Sequence, residues 1–429
     1  MADVRAFRGM RYDPRRYESR YNDVIAPPYD VLSGADKDRL LARDAHNIVA
    51  VDLPHVPPET VGPDDCYRDA ADRLREWRED GILVPDERPA IYVYHQTFTS
   101  GGQQLTRVSF LAAMRLETFG EGAVFPHEHT FGGPKADRLK LMQATRCQLS
   151  AVFGLYSDPD GRINRLLDVS GRPTDVEAEL EGVTQRVWLV RDAATIAAVT
   201  EQMKDKHVYI ADGHHRYGTA LNYRNLLSRE THLPDDHPAR FVFVGLCAME
   251  DPGTVILPTH RVLSGFGELT VNHVVEALRA GVALSERHAK PDDVDRLLPV
   301  DNSDDLAVYV GPQDRYLSGR FTDRERLARL EPDKSPAWRG LDLAYVHRYL
   351  IDDLLAGGLM GGVRPTIRYF KHASEAVHVA RRDQGIALLC KPCAMAELRA
   401  VSEAGDLMPQ KSTFFYPKLA TGLVIRELE

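Results

Sequence analysis

Apolar positions along this chain follow two spacings, one suited to helices and one to strands. Across Asp64–Glu79, Ala70, Leu74 and Trp77 recur at i, i+4 and i+7, so they share one helical face, and Gly81 is placed to end the helix. Residues 90–98 and 108–117 read as strands, and Gly101-Gly102 between them predicts a hairpin. The short apolar run 47–53 reads as a strand ended by Pro54. A helix should start near Pro134, with Leu139, Met142 and Arg146 along one side. Residues 156–190 read as a connecting stretch with a strand at 187–190, followed by a helix over 193–204.

Residues 208–210 form a short apolar strand, then a polar turn, then a helix running to about Arg229. Strands over 241–249 and 255–263 are joined by Asp251-Pro252-Gly253-Thr254, a strong turn signal. Residues 266–330 repeat the alternation more weakly. Beyond them come a helix over 343–355 stopped by Gly357-Gly358, a strand at 386–389 and a helix over 394–403. A loop over 408–418 then leads to a last strand at 421–425.

Alternating strands and helices predict an α/β class with mixed sheets. A chain of 429 residues is too long for one core, so several domains are expected, divided as 1–160, 161–330 and 331–429. A hydrophobic fraction of 43% and a charged fraction of 27% fit a globular protein. The net charge of -9 argues against a general nucleic-acid binder, though a local basic pocket needs only a few cations. The N-terminus carries no secretory pattern and no apolar run reaches the length of a membrane span, so a soluble cytoplasmic protein is expected. Five scattered cysteines read as reduced thiols. Homo-oligomer formation stays open.

The sharpest chemical signal is Asp212-Gly213-His214-His215-Arg216. A helix that begins just after a strand points free backbone N–H groups into the crevice beyond the strand end, a place that favours anions. Gly213 permits a tight turn, and Arg216 brings a planar, permanent positive charge. The plainer reading has Asp212 as a helix cap, the histidines packed and Arg216 in a salt bridge.

A second constellation is Phe125-Pro126-His127-Glu128-His129-Thr130-Phe131-Gly132-Gly133-Pro134-Lys135 with Arg138. In an extended segment His127 and His129 would share a face that a metal accepts. Lys135 and Arg138 would open a second anion-binding helix. A third is the loop Met408-Pro409-Gln410-Lys411-Ser412-Thr413-Phe414-Phe415-Tyr416-Pro417-Lys418, in which Lys411 could reach a bound phosphate. Asp30, held by Pro27-Pro28-Tyr29, is a candidate base or metal ligand, or a helix cap. Cys390-Lys391-Pro392-Cys393 has redox spacing but lies late in the chain for a thioredoxin-like unit.

The stretch Val208-Tyr209-Ile210-Ala211-Asp212-Gly213-His214-His215-Arg216-Tyr217-Gly218-Thr219-Ala220-Leu221 resembles the signature turn of the ParB and sulfiredoxin-like superfamily, in the Asp-Gly-His-x-Arg form of its free serine kinases. The full chain also resembles the bacterial family called domain of unknown function 1015. That likeness is carried by Pro27-Pro28-Tyr29-Asp30-Val31, Pro126-His127-Glu128-His129-Thr130, Ala211-Asp212-Gly213-His214-His215-Arg216 and Met408-Pro409-Gln410-Lys411-Ser412-Thr413. The superfamily resemblance implies a central strand–turn–helix unit with phosphate contacts at Gly213, His214, His215 and Arg216. The full-length one implies a link to serine metabolism, hence serine or phosphoserine as substrate.

Together these readings give a phosphotransferase on a small hydroxyl metabolite. Asp30, Glu128, Asp212 and His214 form its catalytic set. Gly213, His215, Arg216, Lys135, Arg138, Lys411, Ser412 and Thr413 would hold phosphate or nucleotide. Asp212 would hold Mg²⁺, with His127 and His129 as further metal ligands, and ATP, ADP or pyrophosphate would be the donor. The same site with water as acceptor would be a phosphatase on phosphoserine. A metal hydrolase built on His127, His129 and His214 and a ParB-like nucleic-acid binder are the alternatives from other classes. No nucleic-acid or membrane partner is expected.

Overall fold

In a computed structural model, the structure describes residues 2–17, 20–58, 60–130, 132–287, 294 and 305–429; Phe131 and part of the 266–330 stretch lie outside these described residues. The fold is mixed α/β. The chain groups into two compact units: residues 1–126, 130–255 and 417–429 form the first, and residues 127–129 and 256–416 the second. The first unit draws residues from all three segments read from the sequence.

The long hairpin builds the first unit. Strands Ile91–Ser100 and Gln103–Arg115 pair antiparallel, and the turn between them has φ of 57° at Gly101 and 76° at Gly102. Two left-handed residues in succession match the twist of the flanking strands, which is why Gly-Gly stands there. The hairpin sits inside a nine-stranded sheet. On one side lie Val183–Val190 and Val176–Leu180; on the other Phe241–Ala248, Val152–Tyr156, Val208–Asp212 and Val124–Phe125. A four-stranded sheet in the same unit joins Gly9–Tyr12 with the chain end, Ile425–Glu427. The core of the large sheet includes Val93, Phe110, Val244, Ile210 and Tyr217, each worth about 1.5–3 kcal/mol of burial for the aliphatic and aromatic side chains.

Helix Asp64–Glu79 buries Ala70, Leu74 and Trp77 as the spacing predicts, and adds Tyr67 to the same face. Other elements depart from expectation. The run 47–53 contains a helix, Val49–Asp52, rather than a strand. The reason lies in Asn47, whose side-chain oxygen accepts from Val49 N at 3.0 Å while its amide donates to Asp23 O and Ile25 O. A short apolar run carries no period to separate the two states, and the capping side chain decides. Helix Gly132–Thr145 buries Leu141 and Met142; Arg146 follows it, exposed, with φ of 52°. The stretch expected to be connecting holds helix Arg162–Leu166 and strand Val176–Leu180. The last strand is Ile425–Glu427, later than expected, and Phe414–Tyr416 is a strand inside the expected loop.

The second unit is a six-stranded antiparallel sheet covered by helix Ala373–Arg382, with Val262, Tyr309, Ala376 and Leu389 in its core. The expected strand over 255–263 divides into Val255–Leu257 and His260–Ser264, and the second joins this sheet. The helical run beginning at Asp342 passes through Gly357-Gly358 to Met360. Those glycines do not stop it. A side chain at Gly358 would lie 2.9 Å from Ala277 Cβ, so the glycine permits close helix contact, and the stop comes at Gly361 with φ of 59°.

Candidate functional site: the Asp212 turn

Strand Val208–Asp212 runs parallel to Val124–Phe125 and antiparallel to Val152–Tyr156. Its register shifts between Ile210 and Asp212, so Ala211 is an extra residue against Gly154 and Phe153. Such a bulge bends the strand and re-aims the side chain that follows. Gly213 then takes φ of 87° and ψ of 29° and opens the 17-residue helix His214–Glu230. No side chain caps that helix, so Asp212 is not a cap.

The space a side chain on Gly213 would fill is held by Arg216, whose Nε would lie 2.9 Å and Cζ 3.0 Å away. The guanidinium folds back over the turn. Its Nη2 donates to Asp212 Oδ2 at 2.5 Å, its Nη1 to Ala151 O, and its buried Nε has no hydrogen-bond partner among the described residues. Gly213 is therefore required twice, by its backbone angle and by Arg216.

Lys418 completes the turn. Its ammonium donates to Asp212 Oδ1. Burial works against charge on Asp212, yet Lys418 and Arg216, with His214 beside them, hold its carboxyl far below the usual range. Asp212 stays ionised between two cations. The segment carrying Lys418 is clamped in turn: fully buried Arg107 donates to Pro417 O at 2.6 Å and to Gln96 Oε1, and Gln96 Nε2 donates to Lys418 O at 2.9 Å. Arg107 lies over the ring of Phe153, 4.5 Å from its centre, and Phe153 is the strand partner of Asp212.

Several expected residues gather here. Lys135 lies across the first turns of the helix, its Cδ 3.2 Å from where a side chain on Gly218 would start. Arg138 is buried: it reaches Asp137 at 2.6 Å, donates to Asp52 O, and covers the Tyr29 ring at 4.0 Å. Asp30 is exposed in the turn Tyr29–Val31, and its charge acts on Arg216 and Tyr29. His214 is buried and His215 half-buried. A small cavity of about 40 Å³ lies beside Arg216, Arg138, Asp52 and Thr219, room for a water or two. Burial pushes the Asp52 carboxyl up, against the pull of Arg138 and Arg216.

The remaining expected residues meet one another in the second unit. His127 Nε2 contacts Thr413 Oγ1 at 2.8 Å, and Met408 N donates to His127 O at 2.8 Å. Lys411 N donates to Glu128 Oε1 at 3.4 Å, and Ser412 Oγ to Pro409 O at 2.6 Å. Lys411 takes φ of 55° and is exposed. His127 is buried and His129 exposed, so the two do not present one face.

The model of the family described as "Protein of unknown function (DUF1015)" matches residues 4–344. The chain belongs to the DUF1015 family. Among curated proteins, none matches. Among solved structures, a free serine kinase in complex with ADP is similar at 11% identity and a TM-score of 0.33, over 68% of this chain and 84% of that one. SbnI from Staphylococcus aureus, with a C-terminal truncation, is similar at 10% identity and 0.34, over 72% and 85%. A conserved hypothetical protein from Pyrococcus furiosus is similar at 12% identity and 0.30, over 69% and 89%.

In this DUF1015 chain, no group of three or more His, Cys, Asp or Glu gathers among the described residues in a way that could hold a metal. Asp212, with Lys418 on one oxygen and Arg216 on the other, does not fit a resident divalent ion. No described helix is long and apolar enough to cross a membrane. Cys390 and Cys393 are free and buried, and burial pushes both thiols up, which suits core residues rather than redox chemistry. Sequence reasoning missed Lys418, Arg107 and Asp52. Lys418 stood in the quoted loop, but the phosphate role went to Lys411, since nothing in the spacing tells which lysine meets the turn.

Proposed function

We propose that this DUF1015 protein is a phosphotransferase acting on a small hydroxyl metabolite, with free serine the first acceptor to test. The observation that carries the reading is the placement of Asp212 between Lys418 and Arg216, just ahead of a 17-residue helix. Asp212 holds both cations at the place to which the helix also directs its first N–H groups. The carboxylate fixes the cations in advance, so no reorganisation is needed when charge develops on a transferring phosphoryl group. Phosphoryl transfer asks chiefly for such placement and neutralisation.

In this reading Lys418 and the turn hold the donor's phosphates, and Lys135, at the helix start, adds a further cation. Arg216 is mainly an organiser, because its donors already serve Asp212 and Ala151. Asp212 orients cations, and a magnesium ion would arrive with the nucleotide as part of the substrate. Asp30, exposed and within electrostatic reach of Arg216, is the candidate base for the acceptor hydroxyl. The hydroxyl proton passes to the Asp30 carboxylate as the hydroxyl oxygen bonds to phosphorus, and the donor's bridging P–O bond breaks, its electrons leaving with the remainder of the donor.

Phosphorus NMR tests this directly. Serine with ATP, ADP or pyrophosphate and Mg²⁺ should give a new phosphomonoester signal, lost in Lys418→Ala. No such signal with any donor overturns the serine kinase reading. Free phosphate released from phosphoserine alone would show instead that water is the acceptor.

A further inference from the structure

The first unit holds a second polar cleft that the turn does not use. It lies at the end of strand Val183–Val190, open to solvent, with a volume of about 420 Å³, within the range of small-molecule sites. Arg88, Arg172 and Arg191 line it, together with Asp168, Asp192 and Thr195.

The two carboxylates are already satisfied by their own neighbours. Asp168 accepts from Ser170 N and Ser170 Oγ, both at 2.9 Å. Asp192 accepts from Thr195 N and Thr195 Oγ1, both at 2.8 Å, as the cap of helix Ala193–Met203. Neither forms an ion pair with the arginines among the described residues. Arg88 has no ion pair or hydrogen bond among the described residues. Arg172 donates one bond, to Leu189 O at 3.1 Å. Arg191 stands 3.9 Å from Asp86, a carboxylate already held by Arg11 at 2.6 Å and by the Tyr92 hydroxyl at 2.7 Å, and the buried Nε of Arg191 has no hydrogen-bond partner among the described residues.

Three arginines and two carboxylates therefore line one cleft, a net charge of about +1, with Arg88 and most donors of Arg172 open to a ligand. With their acceptor oxygens occupied by Ser170 and Thr195, the two carboxylates leave the arginine N–H groups as the donors that face the cleft. Planar guanidinium forks match the oxygens of phosphate and carboxylate better than any other side chain. We propose that this cleft binds a small phosphate-bearing metabolite, at a site separate from the Asp212 turn. Five strand steps of the sheet separate Val183–Val190 from Val208–Asp212, about 24 Å at about 4.8 Å per step. One molecule of this size cannot occupy both.

The test uses the full chain in a Lys418→Ala background, which disables the turn, with pyrophosphate as the probe in calorimetric titration. Pyrophosphate should still bind, and adding Arg88→Ala and Arg172→Ala should weaken it at least tenfold. Arg88→Ala alone, at an exposed side chain with no partner among the described residues, should weaken it about threefold without moving the melting temperature. Citrate, offering the same geometry through carboxylates, should bind more weakly than pyrophosphate. Loss of all binding in the Lys418→Ala background, unchanged binding after removal of the arginines, or tighter binding of citrate overturns the proposal.

Discussion

The Lys418 ammonium donates to the Asp212 carboxylate across 206 residues of chain. Arg216, in the first turn of the helix that follows, takes the other oxygen. One carboxylate thus joins a lysine from the chain's last segment to the mouth of a central helix, and the consequences can be measured.

Removing the negative charge should leave two partly buried cations facing each other. Asp212→Asn keeps the side chain's shape but not its charge, and should lower stability by about 3 kcal/mol in urea unfolding. A loss under about 1 kcal/mol would mean the cluster is solvated and loosely held.

The pH dependence follows with its sign. Lys418 and Arg216 hold the Asp212 carboxyl below its ordinary value of 3.8 against the cost of burial. The stabilisation is fully present above that value and is lost as pH falls below it, toward the lower value of the folded state. Acid unfolding curves of the wild type should steepen below pH 3.8, and those of Asp212→Asn should lack that component.

Gly213→Ala should be worse than its size suggests. The new methyl would sit at φ of 87° and meet Arg216 Nε at 2.9 Å. Strain of about 1–3 kcal/mol is expected, together with a displaced guanidinium. Weaker anion binding and a lower melting temperature should therefore appear together. Retention of both would mean that Arg216 does not need the space above the turn.

In the second unit, burial and then Arg261 push His347 down to about 3. Arg261 Nε donates to His347 Nε2 at 3.1 Å, which requires the neutral ring. A histidine lowered in the folded state takes up its proton preferentially on unfolding, so stability should fall as pH drops from 6.5 toward about 3. His347→Gln keeps an acceptor for Arg261 and should flatten that slope. An unchanged slope would assign it to other groups, such as His260, pushed down to about 4 by burial and by Arg261.

The strand, turn and helix around Asp212 were legible because an apolar run, a glycine and a long periodic helix follow one another locally. The Gly101-Gly102 hairpin and helix Asp64–Glu79 were legible for the same reason. The fates of residues 47–53 and of Gly357-Gly358 were not. In one, a single asparagine chose helix over strand; in the other, glycine served close packing against Ala277 rather than a stop. The partner of Asp212 was hidden as well. Lys411 and Lys418 stand in one stretch of sequence, and the spacing does not say which meets the turn; strand Phe414–Tyr416 lies between them, and Arg107 and Gln96 clamp residues 417 and 418.

The most direct test is calorimetric titration of ADP into the wild type and into Lys418→Met. If the Asp212 turn is a phosphate site, the wild type binds ADP and the variant binds at least tenfold more weakly, about 1.4 kcal/mol for one lost charge-assisted contact. Equal affinity in the two proteins, or no ADP binding by the wild type, would contradict it.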